Sequence, residues 1–233
     1  MKNVLKAEHI SRDFTIGDGS VVHALTDINL EVNEGELVCL RGRSGSGKTT
    51  LINILGALDR QNRGNVYFCG EDIGKLSDPE RDKLRRQKLS FVFQSVALIS
   101  TMTALENVEF SLRLAGHPIS GRTARAKECL TRVGLGKRMN HRPGELSGGE
   151  QQRAAIARAV ANKPEIIFAD EPTAALDSNT GTAVLALFRE LVHDDGITVV
   201  MTTHDEAMMQ LADVVYSLED GEIVSTVRNN IPL

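Results

Sequence analysis

The octapeptide Gly42-Arg43-Ser44-Gly45-Ser46-Gly47-Lys48-Thr49 constrains this chain more than any other stretch. It follows an apolar run, Leu37-Val38-Cys39-Leu40, and precedes Thr50-Leu51-Ile52-Asn53-Ile54-Leu55, so the pattern predicts a buried strand, a tight loop and a helix. Glycines let backbone N–H groups turn inward around a di- or triphosphate, and the helix N-terminus adds its positive end. Lys48 is then placed to reach the β- and γ-phosphates, and the Thr49 hydroxyl to ligate Mg²⁺. A Gly/Ser loop ending in Lys-Thr by accident would not come with both flanking elements. The loop predicts a nucleotide site.

The remaining chain bounds the fold around that loop. Its 233 residues fit one large α/β domain, or one with an inserted subdomain. With 27 Lys and Arg against 31 Asp and Glu the formal charge is -4, which argues against a nucleic-acid binder held by bulk electrostatics. No apolar stretch reaches bilayer-crossing length, and Met1–Glu8 lacks the apolar core of a secretion signal. Cys39, Cys69 and Cys129 are scattered and lack metal-ligand spacing, as expected of thiols in a reducing cytoplasm.

Strand patterns recur at Leu89–Phe93, ending at Gln94, at Ile166–Ala169 and at Ile197–Met201. The stretch to about Leu40 alternates like a β-rich edge, and Asp220-Gly221 between Val214–Leu218 and Glu222–Ser225 signals a hairpin. Between about 95 and 161 the spacing turns helical, with Leu105, Val108 and Leu112 and then Ala126, Cys129, Leu130 and Val133. The expected fold is a mainly parallel α/β core over 1–94 and 162–233, with an antiparallel β edge and an inserted helical subdomain. The charge-dense run Arg81–Lys88 reads as a solvated helix face.

Two more constellations carry chemistry. In Leu146-Ser147-Gly148-Gly149-Glu150-Gln151, Ser147 and Glu150 form a capping box, and the two glycines offer close backbone approach to an anion at the helix start. In Ile166-Ile167-Phe168-Ala169-Asp170-Glu171-Pro172 an apolar strand delivers two carboxylates to its carboxyl end. Strand alternation is expected to point them apart, Asp170 toward a Mg²⁺ shell and Glu171 toward an attacking water.

Taken in this order and spacing, the three motifs resemble the nucleotide-binding subunits of ABC transporters, over nearly the whole chain. Leu146–Gln151 looks like that family's signature motif. The resemblance implies a P-loop ATPase fold with ATP and Mg²⁺ as ligands. Gly42 through Thr50 would hold ATP, while Thr49, Asp170 and Gln94 would hold the metal. Gln94 matches the glutamine that contacts the metal and attacking water and couples to a membrane partner. Glu171 matches the general base, His204 the histidine that bonds the γ-phosphate, and Asp177 the D-loop aspartate. Phe14 falls where the family stacks an aromatic, usually tyrosine, on adenine; an ordinary core Phe is the other reading of the residue itself. Ser147, Gly148, Gly149, Glu150 and Gln151 would act in trans, in a homodimer formed when ATP is bound.

Phe91-Val92-Phe93-Gln94, Thr103–Val108, Gly56–Asp59 and Phe168–Thr173 are similar to the lipoprotein-releasing and macrolide-exporting ATPases. That subgroup implies export, release or force transmission through a separate integral membrane permease, with this chain peripheral on the cytoplasmic face. The alternatives are an importer ATPase, where an end at Leu233 leaves no room for a regulatory tail although tail-less importers exist, and a soluble ABC ATPase. DNA-repair members have long coiled-coil insertions and translation factors have two ATPase units, and this sequence has neither.

Overall fold

The computed structural model describes residues 2–204 and 206–229; Met1 and Leu233, the ends used in reading the sequence, lie outside them. Among the described residues the strands are β1 (Asn3–Thr15), β2 (Val21–Asn33), β3 (Leu37–Arg41), β4 (Arg63–Phe68), β5 (Glu71–Asp72), β6 (Leu89–Val92), β7 (Ile166–Asp170), β8 (Thr198–Thr203), β9 (Val214–Glu219) and β10 (Glu222–Arg228). The helices are α1 (Lys48–Leu55), α2 (Asp78–Gln87), α3 (Ala104–Leu114), α4 (Ile119–Arg132), α5 (Gly148–Val160), α6 (Ser178–Asp195) and α7 (Glu206–Leu211).

Six strands form the central sheet in the order β10-β9-β3-β8-β7-β6. All neighbours are parallel except the terminal β9–β10 hairpin. Parallel strands covered on both faces need unbroken apolar sequence, which the short runs of β3 and β7 supply. Their residues then alternate between two cores. Leu37, Cys39, Ile167, Ala169, Val199 and Met201 pack with α3, α4, α5 and α6. Val38, Leu40, Ile166, Phe168 and Val200 pack with α1 and the second sheet. That sheet is antiparallel, in the order β2-β1-β4-β5.

The helical stretch shares its apolar core with the central sheet, because Ala154, Ile156, Ala157 and Val160 of α5 belong to the same cluster as β3 and β7. Strands β4 and β5 are not evident in the sequence pattern; Arg63-Gly64-Asn65 opens β4 with poor strand formers, and pairing with β1 overrides them. The reading of Arg81–Lys88 as a solvated face is corrected at one position. Arg81 is buried, and its guanidinium donates to the carbonyls of Ala57, at 3.2 Å, and Asp59 just beyond α1. Among the described residues no helix is long and apolar enough to cross a membrane.

Candidate active site

Because β3, β6, β7 and β8 are parallel neighbours, their carboxyl ends share one edge of the sheet, the usual ligand edge of such sheets. The phosphate loop, Gln94, the Asp170–Glu171 pair and His204 lie at or just beyond those ends. The loop after β3 turns into α1 at Gly47, whose φ is 97°. A Cβ there would lie 2.5 Å from the Ala24 carbonyl oxygen and 2.8 Å from Leu25 Cδ2, so conformation and space both demand glycine. Lys48 is buried and folds over the loop, its Nζ donating to the carbonyls of Gly42 at 2.7 Å and Arg43 at 2.9 Å. Ser46 Oγ is buried with no hydrogen-bond partner among the described residues, a costly arrangement that a ligand with acceptor oxygens would relieve.

At the end of β7, Asp170 receives two hydroxyl groups. Thr49 Oγ1 lies 3.1 Å from its Oδ2, and Thr202 Oγ1 donates to its Oδ1 at 2.6 Å. The separation of Asp170 from Glu171 has a different origin from the expected strand alternation. The strand stops at Asp170, and Glu171 adopts φ 43°, the left-handed region. Its N–H donates to Thr202 Oγ1 at 2.8 Å, so one buried hydroxyl ties both acidic residues together. Thr202 is a residue of this candidate site that the sequence did not single out. Its signal was a hydroxyl in an apolar strand, at the register position facing Asp170.

A cleft of about 530 Å³ gathers Ser44, Gly45, Gly47, Lys48, Thr49 and Thr50 with Gln94 and Glu171. His204 lies beside Glu171, Nδ1 to Oε2 at 3.9 Å, too long for a hydrogen bond. His204, Glu171 and Asp177 line a neighbouring cleft of about 390 Å³, and Gly42, Arg43 and His204 a third of about 480 Å³. Asp177 caps α6 by accepting from the Thr180 hydroxyl at 2.6 Å and the Thr180 N–H at 3.0 Å; these bonds hold its carboxyl below the ordinary range. Phe14 is partly exposed at the end of β1, paired with Val22, which lines the main cleft. One face of its ring is already covered by the Arg12 guanidinium, 4.4 Å from the centroid.

The second glycine motif opens α5 as the capping box requires. Ser147 Oγ accepts from the Glu150 N–H at 3.3 Å, and Glu150 accepts from the Ser147 N–H at 2.9 Å. That backbone bond, with Arg138 3.3 Å away, lowers the Glu150 pKa. Gly148 is exposed, whereas Gly149 is buried, and a Cβ on Gly149 would come within 2.2 Å of Thr180 Cγ2. The close approach that Gly149 permits within one copy is therefore to α6. Gln151 Nε2 donates to the Leu146 carbonyl at 3.1 Å. None of Ser147–Gln151 lines the cleft that holds the phosphate loop.

A family model for ABC transporters matches residues 25–174, from β2 past the two acidic residues. The chain belongs to the ABC transporter family. Within it, the chain is an ATP-binding cassette, an ATPase whose fold is the family's. It is 46% identical over 224 residues to an uncharacterized ABC transporter ATP-binding protein of Methanocaldococcus jannaschii, covering 96% of this chain and 99% of that one. It is 44% identical to the macrolide export ATP-binding/permease protein MacB of Vibrio parahaemolyticus, over 97% of this chain but only 34% of that protein. The chain thus spans about a third of the length of the MacB proteins it matches. Among solved structures, the dimeric post-hydrolysis state of the ATP-binding cassette MJ0796, bound to ADP and Pi, superposes with a TM-score of 0.89 at 42% identity. That match covers 96% of this chain and 98% of the other.

Proposed function

We propose that this cassette drives export or release through a separate membrane permease by closing head-to-tail on a second copy around ATP. One observation carries the reading. A single cleft collects the phosphate loop, Gln94 and Glu171, while the exposed N-terminus of α5, with Ser147 and Gly148, lies outside it. In a two-fold arrangement each Ser147–Gln151 covers the γ-phosphate held by the other copy, so ATP sits between the two surfaces. The 44% identity to a macrolide export protein favours export over import. The site then belongs on the cytoplasmic side, with the chain peripheral to the membrane.

Lys48 neutralises the β- and γ-phosphate charge, taking phosphate oxygens in place of the Gly42 and Arg43 carbonyls. Thr49 and Asp170 present hard oxygens within 3.1 Å of each other, a donor set suited to Mg²⁺ held mostly by water and phosphate. Gln94 would complete that set, and the metal would supply positive charge to offset that of the phosphates. Glu171 accepts the proton of the attacking water, and His204 bonds the γ-phosphate from the other side of that carboxylate. Phe14 offers its free ring face to adenine. Products carry more charge than ATP and no longer bridge the copies, which separates them.

The test is Glu171→Gln, which keeps the side chain's shape and removes the base. Turnover is expected to fall by about 10²- to 10⁴-fold. Turnover near that of the parent chain would take Glu171 out of the mechanism.

A further inference from the structure

The segment after Gln94 is bent in a way its residues disfavour. Val96 has φ 60° and Ala97 φ 49°, two consecutive side-chain-bearing residues in the left-handed region, one of them β-branched. Local hydrogen bonds support the turn, from the Val96 N–H to the Phe93 carbonyl at 3.0 Å and from the Ala97 N–H to the Ser95 carbonyl at 2.6 Å. A long-range hold comes from α5. The Arg158 guanidinium donates to the Val96 carbonyl at 3.1 Å and also to the Ala97 carbonyl.

Two successive carbonyls taken by one planar fork is an arginine geometry that a lysine ammonium does not reproduce. Burial lowers the Arg158 pKa, so its charge is kept in a poorly solvated place. Arg158 is itself anchored, because its carbonyl accepts from Ser111 Oγ of α3 at 3.4 Å. It sits three turns, roughly 16 Å, along the same helix that begins at the signature glycines. Arg158 and Ala97 also line a cleft of about 280 Å³ with Phe91 and Phe93.

We propose that Arg158 is a positioning residue for Gln94. It latches the left-handed Val96–Ala97 pair, and through it sets where Gln94, two residues upstream, faces the nucleotide. Left-handed conformations at such residues persist only where surrounding contacts over-determine them. Without the latch the pair relaxes to ordinary backbone angles and carries Gln94 out of register. Because Arg158 belongs to α5, displacement of the signature helix is transmitted to Gln94 through the same two hydrogen bonds. The inference rests on the reading that Gln94 acts on the bound nucleotide.

The experiment is steady-state ATP hydrolysis, with thermal unfolding alongside, on five versions of the full chain: Gln94→Ala, Arg158→Ala, Arg158→Lys, the pair Val96→Gly/Ala97→Gly, and that pair combined with Arg158→Ala. Arg158→Ala is expected to lower kcat about tenfold to a hundredfold, the scale for a misplaced group, with KM for ATP within about twofold. Arg158→Lys restores only part of the loss. The glycine pair restores most of it in the Arg158→Ala background, because glycine holds positive φ without strain. If Arg158→Ala keeps parental kcat while Gln94→Ala is slow, the latch is wrong. If kcat falls only in step with the melting temperature and glycine gives no rescue, Arg158 is a packing residue and the proposal fails. If Gln94→Ala is fully active, it is the role of Gln94 that fails. Should Arg158→Ala not fold, a sixth version, Arg158→Lys combined with the glycine pair, takes its place, and its comparison with Arg158→Lys alone decides in the same way.

Discussion

Replacing Thr202 by valine removes one hydroxyl and almost no volume, and that hydroxyl serves both acidic residues of the site. It donates to Asp170 at 2.6 Å and accepts the Glu171 N–H at 2.8 Å, at a fully buried position. A hydrogen bond to a carboxylate contributes about 1.5–3 kcal/mol, and an amide left without its acceptor costs about 1–3 kcal/mol. The gain from burying a methyl in place of the hydroxyl offsets roughly 1 kcal/mol. Asp170 keeps Thr49, so the net destabilisation is about 2–3 kcal/mol, or a melting point lower by about 5–10 °C at this chain length. The catalytic effect is larger in proportion, because the Glu171 N–H bond holds a left-handed residue at φ 43°. Its loss lowers kcat about ten- to a hundredfold. Thr202→Ser keeps the oxygen and loses a methyl, about 1 kcal/mol of stability, with kcat within about threefold of the parent. The assays are phosphate release at saturating ATP and thermal unfolding without nucleotide. Parental kcat in Thr202→Val, or equal losses in both variants, would refute the assignment.

Two further predictions concern charge and thiols. The Glu150 pKa is lowered in the fold, so its contribution is complete above the ordinary glutamate pKa and is lost as pH falls through the lower folded value. Amide-exchange protection at Ser147, whose N–H the carboxylate holds, should therefore fall as the pH drops below the ordinary glutamate range in the parent chain, and Glu150→Gln should abolish that dependence. Burial and the nearby Asp213 carboxylate push the Cys39 thiol up to about 12. Alkylation at pH 8 is expected first at exposed Cys69, with Cys39 and Cys129 modified only on unfolding; early labelling of Cys39 would contradict the packing of β3.

The central sheet was legible because parallel strands covered on both faces advertise themselves as short apolar runs. The loop at 42–49 was legible because its chemistry requires particular residues in contiguous order. What the sequence concealed depends on distant partners. Thr202 reaches Asp170 only through the β7–β8 register, and Arg81 is buried only because α2 packs over the carbonyls that follow α1. The left-handed Glu171 follows a strand that reads as if it would simply continue alternating. Gly149 was read for an anion, yet within one copy its missing Cβ makes room for Thr180. Strand β4 owes its existence to β1 rather than to its own composition.

The central claim is that the site is completed by the α5 N-terminus of a second copy. Gly148 allows a direct test, because among the described residues a Cβ there meets only Leu176 Cδ2, at 3.7 Å, and an aspartate at a helix start suits the helix dipole. Gly148→Asp therefore folds while placing a negative charge where the partner's γ-phosphate would sit. Light scattering of Glu171→Gln with ATP should give twice the monomer mass, and Glu171→Gln/Gly148→Asp should stay monomeric while still binding ATP with the affinity of a single copy. A doubly substituted chain that still dimerises with ATP would contradict the account.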